Sequence, residues 1–299
     1  MTSINEGERI ASLSRRFLSA KGASYQAWRC GRFLFEQQRP LIMSVINVTP
    51  NSFSDGGLYK NAQSAIAYGV RMGEEGADIL DIGGVSTRPG ALPVSTEEEK
   101  RRILPVVKGL VAAGFAVSVD TTNPTIMRVV LDAGAVIIND VYAYQAEGAA
   151  AAIADSDCGI VIMHMKGKPQ TMQDSPQYNN VFEEVTTFLH GRAEHLKTMG
   201  VAKERICLDP GIGFGKMIKH NWTLLNRFSE LSECYPLLAG VSRKSLFAEI
   251  CKGAKPTQRD VASAAAAALL MWQGVRVLRV HNVQLTQEAL GVALAMAHA

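Results

Sequence analysis

The sequence has few cysteines and lacks the motifs and long apolar runs typical of secreted, zinc-binding or membrane-spanning proteins. Its five cysteines are scattered, with no Cys-x-x-Cys pair, which disfavours a disulfide framework or a zinc site and predicts a cytoplasmic protein. The six histidines form no His-Glu-x-x-His motif, and no apolar run approaches the roughly 18 residues that a membrane span needs. Its 31 basic and 28 acidic residues are interspersed, so we expect neither a nucleic-acid nor a membrane partner.

The N-terminal segment also lacks the apolar core of an export signal, because charged residues such as Glu6 and Arg15 interrupt it. We interpret residues 1–24 as an N-terminal extension and predict one domain over residues 25–299. A chain of 299 residues with an apolar content of 47% suits a single α/β barrel, which typically needs about 250 residues.

From Leu41 onward, a short apolar run, a loop and a helix-length stretch follow one another repeatedly. The apolar runs are 41–47, 77–84, 115–120, 135–140, 159–164, 205–209, 236–240 and 275–281. Amphipathic stretches lie between them, such as 61–75, 95–113, 146–156, 179–199, 221–233 and 258–273. Eight apolar strands alternating with helices predict a parallel sheet closed into a (β/α)₈ TIM barrel. The segment before the first strand predicts a short hairpin that plugs the barrel bottom.

Polar residues stand where most of these strands end. They are Asn47, Asp120, Asn139, His164, Asp209 and His281, and Ser242 and Lys244 follow a further strand. In a barrel of this type the active site lies at the carboxyl ends of the strands. A capping role explains any one of these residues but not all of them in the same register.

Two loops and one strand end have the composition of an anion site. The segment 47–57 is rich in hydroxyl and amide side chains and ends in two glycines, and the segment 83–91 places Arg88 beside Ser86 and Thr87. A guanidinium matches phosphate oxygens, although both segments could be ordinary surface turns. Arg279 and His281 are two residues apart and share a strand face, where a phosphate would supply the anionic partner that a buried pair needs.

Asp120, Asn139 and Asp209 allow three interpretations. Two carboxylates and an amide can bind a heterocycle that bears an N–H and an amine, they can form a general acid–base pair, or they can cap helices. The segment 240–245, GVSRKS, predicts a helix that starts at Ser245, where free N–H groups and the Lys244 charge favour a carboxylate. The glycine-rich segment 208–216, LDPGIGFGK, is a weak signal by itself.

Taken together, eight segments resemble the signature segments of the dihydropteroate synthase family, and the resemblance covers residues from about 25 to the C-terminus. In chain order they are NVTPNSFSDGG, DIGGVSTRPGA, SVDT, IIND, MHMKGKPQTMQ, LDPGIGFGK, SRKS and RVHN. The resemblance implies a cytoplasmic transferase of folate biosynthesis that condenses 6-hydroxymethyl-7,8-dihydropterin diphosphate with p-aminobenzoate. It also implies Mg²⁺ as cofactor, inhibition by sulfonamides, and a homodimer formed through the last helices. A pterin-binding methyltransferase barrel and an inactive pterin-binding paralogue are the alternatives.

The resemblance further implies a role for individual residues. Pterin-binding residues are Asp120, Asn139, Met163, Asp209 and Lys244. Diphosphate-binding residues are Asn47, Thr87, Arg88, Arg279 and His281, with Mg²⁺ near Asn47. Residues that line the p-aminobenzoate slot are Phe53, Thr87, Pro89, Phe214, Lys244 and Ser245. Catalytic residues are Asp55, Arg88, Lys244, Arg279 and His281, where Asp55 helps to organise the first loop.

Three positions differ from the residues that are common in that family. Asn51 and Asn282 stand where Asp is common, and Val85 stands where Glu is common. Asn51 keeps a hydrogen-bonding side chain but loses a negative charge near the expected diphosphate and metal, and Val85 loses a carboxylate from the second loop. These changes put loop stability, metal affinity or the response to sulfonamides in doubt more than the activity.

Overall fold

The computed structural model describes residues 27–36, 39–48, 62–86, 94–169 and 171–297. A two-stranded antiparallel hairpin of β1 (Trp28–Cys30) and β2 (Phe33–Phe35) precedes the main sheet. The main sheet contains β3 (Leu41–Asn47), β4 (Ile79–Gly83), β5 (Val117–Asp120), β6 (Ile137–Asp140), β7 (Gly159–Met163), β8 (Ile206–Asp209), β9 (Leu238–Ala239) and β10 (Val277–Val280).

The eight strands of the main sheet are parallel and form a closed barrel. Their order is β8-β7-β6-β5-β4-β3-β10-β9. A parallel bridge between Leu208 and Leu237 joins the two ends of this order. The predicted TIM barrel is therefore confirmed, and the observed strands fall within the eight predicted runs.

Helices connect consecutive strands and cover the outside of the barrel. In the described residues they are α1 (Ala62–Glu74), α2 (Thr96–Ala112), α3 (Pro124–Asp132), α4 (Ala149–Ala154), α5 (Val181–Thr198), α6 (Ile218–Asn226), α7 (Asp260–Trp272) and α8 (Val283–Ala297). Helix α3 was not among the predicted stretches; its start is fixed by Asn123, whose side chain accepts from Thr125 N, and by Pro124 in the first turn. The stretch predicted at 221–233 begins earlier, at Ile218, and its second half is a 3₁₀ turn, Phe228–Glu230.

The hairpin closes the bottom of the barrel, as predicted. Trp28 and Cys30 are completely buried, and Trp28 Nε1 donates to Arg205 O at 2.9 Å. Gly159 makes this approach possible, because a Cβ atom at that position would lie 2.2 Å from Cys30 Sγ. Apolar side chains fill the lower interior, including Met43, Ile79 and Val161, so the polar chemistry is confined to the upper end.

Among the described residues, no helix is long and apolar enough to cross a membrane.

Candidate functional site

The predicted site residues on the strands lie together at the carboxyl end of the barrel. Asp120 pairs with Asn139 in the register of β5 and β6, and Met163 pairs with Asp209 in that of β7 and β8. Arg279 of β10 reaches across the interior to Asp120. The predicted convergence of these side chains at one barrel mouth is therefore confirmed.

Arg279 is held between two carboxylates at the centre of this mouth. Its Nε donates to Asp81 Oδ2 at 2.6 Å, and its Nη2 donates to Asp120 Oδ2 at 3.0 Å. The protein itself thus supplies two anionic partners for Arg279, which the sequence analysis did not foresee. The guanidinium still keeps part of its surface exposed, 23%, from which it can meet a further anion.

Asp81 is the residue that sequence reasoning missed. Its side chain is completely buried in β4, where its carboxylate accepts from Ser118 Oγ at 2.6 Å as well as from Arg279. A buried carboxylate without partners is costly. The lone acidic residue in the apolar run ILDIG was therefore the signal that an interior cation lies nearby.

Asn139 presents an unused hydrogen-bond acceptor. Its Nδ2 lies 3.4 Å from Asp81 Oδ2, which orients the amide. Its Oδ1 is buried and has no hydrogen-bond partner among the described residues. Buried polar atoms are rarely left unpaired, so this oxygen is the strongest single indication of a ligand that donates an N–H.

Asp209 and Lys244 form the opposite wall of the mouth. Asp209 Oδ1 accepts from Gly211 N at 2.7 Å. The Lys244 ammonium donates to Ile212 O and lies 4.7 Å from the centre of the Phe214 ring. A carboxylate, an ammonium and an aromatic face are therefore close to one another beside Met163, which is 3% exposed.

Burial shifts the pKa of three of these groups. It raises the pKa of Asp120 to about 7; the Arg279 charge opposes this shift and the Asp81 carboxylate adds to it. Burial also raises the pKa of Asp209, against the lowering effect of Lys244. It lowers the pKa of Lys244 to about 8, although the Asp209 carboxylate favours the charged form. Perturbed titratable groups clustered in one mouth are typical of functional sites.

His281 follows β10 and is oriented by Ser242. The Ser242 hydroxyl lies 3.0 Å from His281 Nδ1 and also accepts from His281 N at 3.2 Å. Between Ser242 and Lys244, Arg243 adopts the left-handed conformation with φ of 61°. Its guanidinium binds both carboxylate oxygens of Asp260 at 2.6 and 2.8 Å. The neighbouring residues therefore have different partners: Arg243 binds Asp260, and Lys244 donates to Ile212 O.

The predicted helix at Ser245 was only partly right. The structure has a single 3₁₀ turn there, Ser245–Phe247, and α7 begins at Asp260. So short a turn has no appreciable macrodipole, because that effect sums over aligned peptides. Ser245 is exposed at the rim of the mouth, and attraction of a carboxylate there depends on Lys244 more than on a helix start.

The side chain of His164, another residue predicted at a strand end, packs against Lys216 and Phe188. Its Nδ1 lies 2.8 Å from the Nζ atom of Lys216, a buried residue that sequence reasoning also left without a role. The departure Asn282 has a structural role: its Oδ1 accepts from Leu285 N at the start of α8, and its Nδ2 donates to Asp260. Val85 is half-buried after β4, and nothing in the structure explains it.

The mouth offers little for a metal among the described residues. No group of three or more His, Cys, Asp or Glu side chains there could hold an ion. Asn47, the predicted metal-binding residue, ends β3 in register with Gly83. Phe53, Asp55, Thr87, Arg88, Pro89 and Asn51 lie outside the described residues.

Comparisons with known proteins identify the family of the chain. A model of the family described as pterin binding enzyme matches residues 43–281. The dihydropteroate synthase of Neisseria meningitidis serogroup C is 46% identical over 268 residues, which are 88% of this chain and 95% of that protein. The Yersinia pestis dihydropteroate synthase in a sulfonamide drug complex is 39% identical, with a TM-score of 0.88 over 92% of this chain and 100% of that one. The Burkholderia cenocepacia dihydropteroate synthase with 7,8-dihydropteroate is 42% identical, with a TM-score of 0.83 over 91% and 96%.

Proposed function

The chain belongs to the dihydropteroate synthase family of pterin-binding enzymes, and from this premise we infer that it condenses 6-hydroxymethyl-7,8-dihydropterin diphosphate with p-aminobenzoate. The products are 7,8-dihydropteroate and diphosphate. A relative that is 42% identical is complexed with 7,8-dihydropteroate, and that molecule contains both substrate halves. The enzyme is a transferase.

The pterin lies between the two walls of the mouth. The unpaired Oδ1 of Asn139 is the observation that carries this placement, because the edge of a pterin bears N–H donors. Asp209 accepts from the 2-amino group and N3–H, while Asp120 and Lys244 meet the remaining ring atoms. Met163 packs against the ring face.

The diphosphate binds at the side of the mouth formed by β3, β4 and β10. Arg279, His281 and Asn47 contact it from the described strands, together with Thr87 and Arg88 from the second loop. The cations of the mouth are already engaged by carboxylates: Arg279 pairs with Asp81 and Asp120, and Lys244 is influenced by Asp209. A polyanionic diphosphate therefore needs additional positive charge.

Mg²⁺ bound together with the diphosphate would supply that charge. The ion usually keeps several waters and binds through one or two protein oxygens plus substrate phosphates. The side-chain amide oxygen of Asn47, at the end of β3, would be a protein ligand of such an ion. When bound, Mg²⁺ neutralises charge on the leaving group.

The p-aminobenzoate slot lies beside Lys244. The half-buried Phe214 ring forms one wall, and the Lys244 ammonium and the exposed Ser245 at the rim meet the carboxylate. Phe53, Thr87 and Pro89 complete the slot from the two long loops. A sulfonamide, which mimics p-aminobenzoate, occupies the same slot.

The reaction follows from these contacts. The bond between the pterin methylene carbon and the diphosphate oxygen breaks first, and Arg279, Arg88 and His281 stabilise the charge that grows on the leaving oxygen. The electron-rich pterin delocalises the resulting cation. The arylamine nitrogen then attacks the methylene carbon and loses one proton, so no protein nucleophile is required. By the family resemblance, Asp55 helps to organise the first loop, and the first two loops exclude water during this step.

Two further properties complete the proposal. The enzyme is a homodimer that buries the apolar face shared by α7 and α8, where Leu269, Val292 and Met296 are 68%, 63% and 71% exposed. Sedimentation of the wild-type protein and of Leu269→Glu tests the dimer, because a buried glutamate at this face shifts the protein from dimer to monomer.

The enzyme acts in the cytoplasm, in keeping with five unpaired cysteine thiols.

Assay of the purified protein with both substrates tests the function. Formation of dihydropteroate and diphosphate in equal amounts is expected, and it also separates the candidates. A methyltransferase barrel acting on methyl-tetrahydrofolate releases no diphosphate and has no use for the Arg279 and His281 anion site. An inactive paralogue binds the pterin without forming product, and the complete set of strand-end residues argues against it.

A further inference from the structure

Lys216, the last residue of the segment LDPGIGFGK, is a buried lysine enclosed by neutral oxygen and nitrogen acceptors. Burial lowers the pKa of Lys216 well below its ordinary value, and the Asp209 carboxylate opposes that shift by favouring the charged form. The Lys216 side chain is 2% exposed. The ammonium lies 2.8 Å from His164 Nδ1, 3.0 Å from Gly211 O, 3.0 Å from Phe214 O and 3.3 Å from His164 O. Among the described residues, no carboxylate comes within ion-pair distance of it. We name these four atoms the Lys216 cage.

Two glycines of this segment, Gly211 and Gly215, allow the backbone conformation that forms the Lys216 cage. Gly211 and Gly215 have φ of 65° and 62°. A Cβ atom on Gly211 would lie 1.9 Å from His164 O, and one on Gly215 would lie 2.2 Å from Lys166 O. Only glycine fits both the left-handed backbone and the close approach of the neighbouring loop. The backbone can therefore turn its carbonyl oxygens inward, onto Nζ.

The same short loop carries the residues that shape the substrate slot. Gly211 N binds Asp209 Oδ1 at 2.7 Å, Ile212 O accepts from Lys244, and the Phe214 ring lies beneath the Lys244 ammonium. Lys216 donates to the first and last carbonyl oxygens of the 211–214 loop, those of Gly211 and Phe214. Lys244 donates to the carbonyl oxygen of Ile212, which lies between them in the chain.

His164 is fixed as an acceptor in this arrangement. Its ring packs edge-on against Phe188, with centroids 5.0 Å apart. Burial, followed by the Lys216 charge, lowers the pKa of His164 to about 3. The imidazole therefore stays neutral, with Nδ1 accepting from Lys216 and the remaining ring proton on Nε2.

We propose that Lys216 is a positioning residue whose ammonium, seated in the Lys216 cage, holds the 211–214 loop so that Phe214 and Ile212 O stand where Lys244 and the p-aminobenzoate slot require them. This inference rests on the proposed function. Lys216 touches neither substrate, since its donors are all directed to the cage.

The test compares Lys216→Ala with Lys216→Met in the full-length enzyme, with methylammonium chloride or the same concentration of sodium chloride present. Lys216→Ala leaves buried carbonyls without a donor and should raise the KM for p-aminobenzoate by about tenfold, with a smaller change in the affinity for pterin diphosphate. Methylammonium should reverse much of the loss in Lys216→Ala. It should not do so in Lys216→Met, whose side chain fills the space without donating.

A second pair of variants keeps Lys216 in place. His164→Asn retains an acceptor for the ammonium, and His164→Leu does not. We expect the KM for p-aminobenzoate to rise more in His164→Leu.

Wild-type KM values in Lys216→Ala, a defect that methylammonium leaves unchanged, or equal behaviour of the two His164 variants would overturn the inference. Absence of product from the wild-type enzyme would instead overturn the proposed function.

Discussion

The Nε atom of Arg279 lies 2.6 Å from Oδ2 of Asp81, a carboxylate with no exposed surface. This contact joins β10 to β4 through the barrel interior, and the neighbouring contact to Asp120 extends it to β5. The guanidinium is thereby fixed before any ligand binds. A preorganised cation stabilises developing charge without the cost of reorganising its surroundings.

Replacement of Asp81 by Asn should destabilise the protein. The change removes a charged acceptor from Arg279 and Ser118 in a buried position, and we expect the free energy of unfolding to fall by about 2–3 kcal/mol in urea titrations. Glu230→Gln is the matched control, because it breaks only the exposed pair with Arg227 and should have little effect. Equal effects of the two variants would contradict the structural role of Asp81.

The raised pKa of Asp120 predicts a pH dependence of stability. Its folded value of about 7 exceeds the ordinary value of 3.8, so the folded protein holds a proton that the unfolded chain has lost. The stability that this group contributes is present below about pH 4 and is lost as the pH rises to about 7. The free energy of unfolding of Asp120→Asn, relative to wild type, should therefore rise over this window. A difference that is flat with pH would show that burial does not perturb Asp120.

The unpaired Oδ1 of Asn139 predicts a specific loss of ligand affinity. Asn139→Ala removes the acceptor offered to the pterin, and its dissociation constant in calorimetry should rise by roughly tenfold. Asn226→Ala, at the exposed end of α6, serves as the control. Unchanged pterin affinity in Asn139→Ala would place the ring elsewhere.

The left-handed conformation of Arg243 predicts an unusual order of two variants. Both Arg243→Gly and Arg243→Ala lose the ion pair with Asp260, but only glycine tolerates a φ of 61° without strain. Thermal or urea unfolding should show Arg243→Gly to be the more stable by about 1 kcal/mol. The reverse order would mean that the backbone relaxes when the side chain is removed.

Arg279→Ala and His281→Ala should each lose about 2–4 kcal/mol of transition-state stabilisation, obtained from the ratio of kcat/KM values. Arg101→Ala and His195→Ala, both exposed on helices, control for the loss of one residue of each type. Rates near wild type in both mouth variants would remove these residues from the mechanism.

The barrel was predictable because apolar, β-branched runs ending in polar residues carry a strong periodic signal. The convergence of Asp120, Asn139 and Asp209 followed from the same pattern, since parallel strands end at one edge. Asp81 was missed as a site residue by the sequence analysis. A buried strand is apolar on both faces, and a single acidic residue within it does not show which cation it pairs with.

The groups that bind the buried side chains of Arg279 and Lys216 were the feature that the sequence predicted least well. The sequence places Arg279 on the correct strand face, yet only the structure shows that Asp81 and Asp120 neutralise it. Lys216 was likewise hidden in the segment 208–216, which was a weak signal by itself. The sequence does not show that the backbone of this segment turns its carbonyl oxygens inward, because that depends on the backbone conformation. The short turn at Ser245 shows the same limit for local structure.

A crystal structure of the protein with pterin diphosphate tests the central claim most directly. We predict the ring edge between Asn139 Oδ1 and the Asp209 carboxylate, with the diphosphate directed to Arg279 and His281. A ring bound outside the mouth, for example in the surface groove lined by Gln145, Arg192 and His195, would contradict the account.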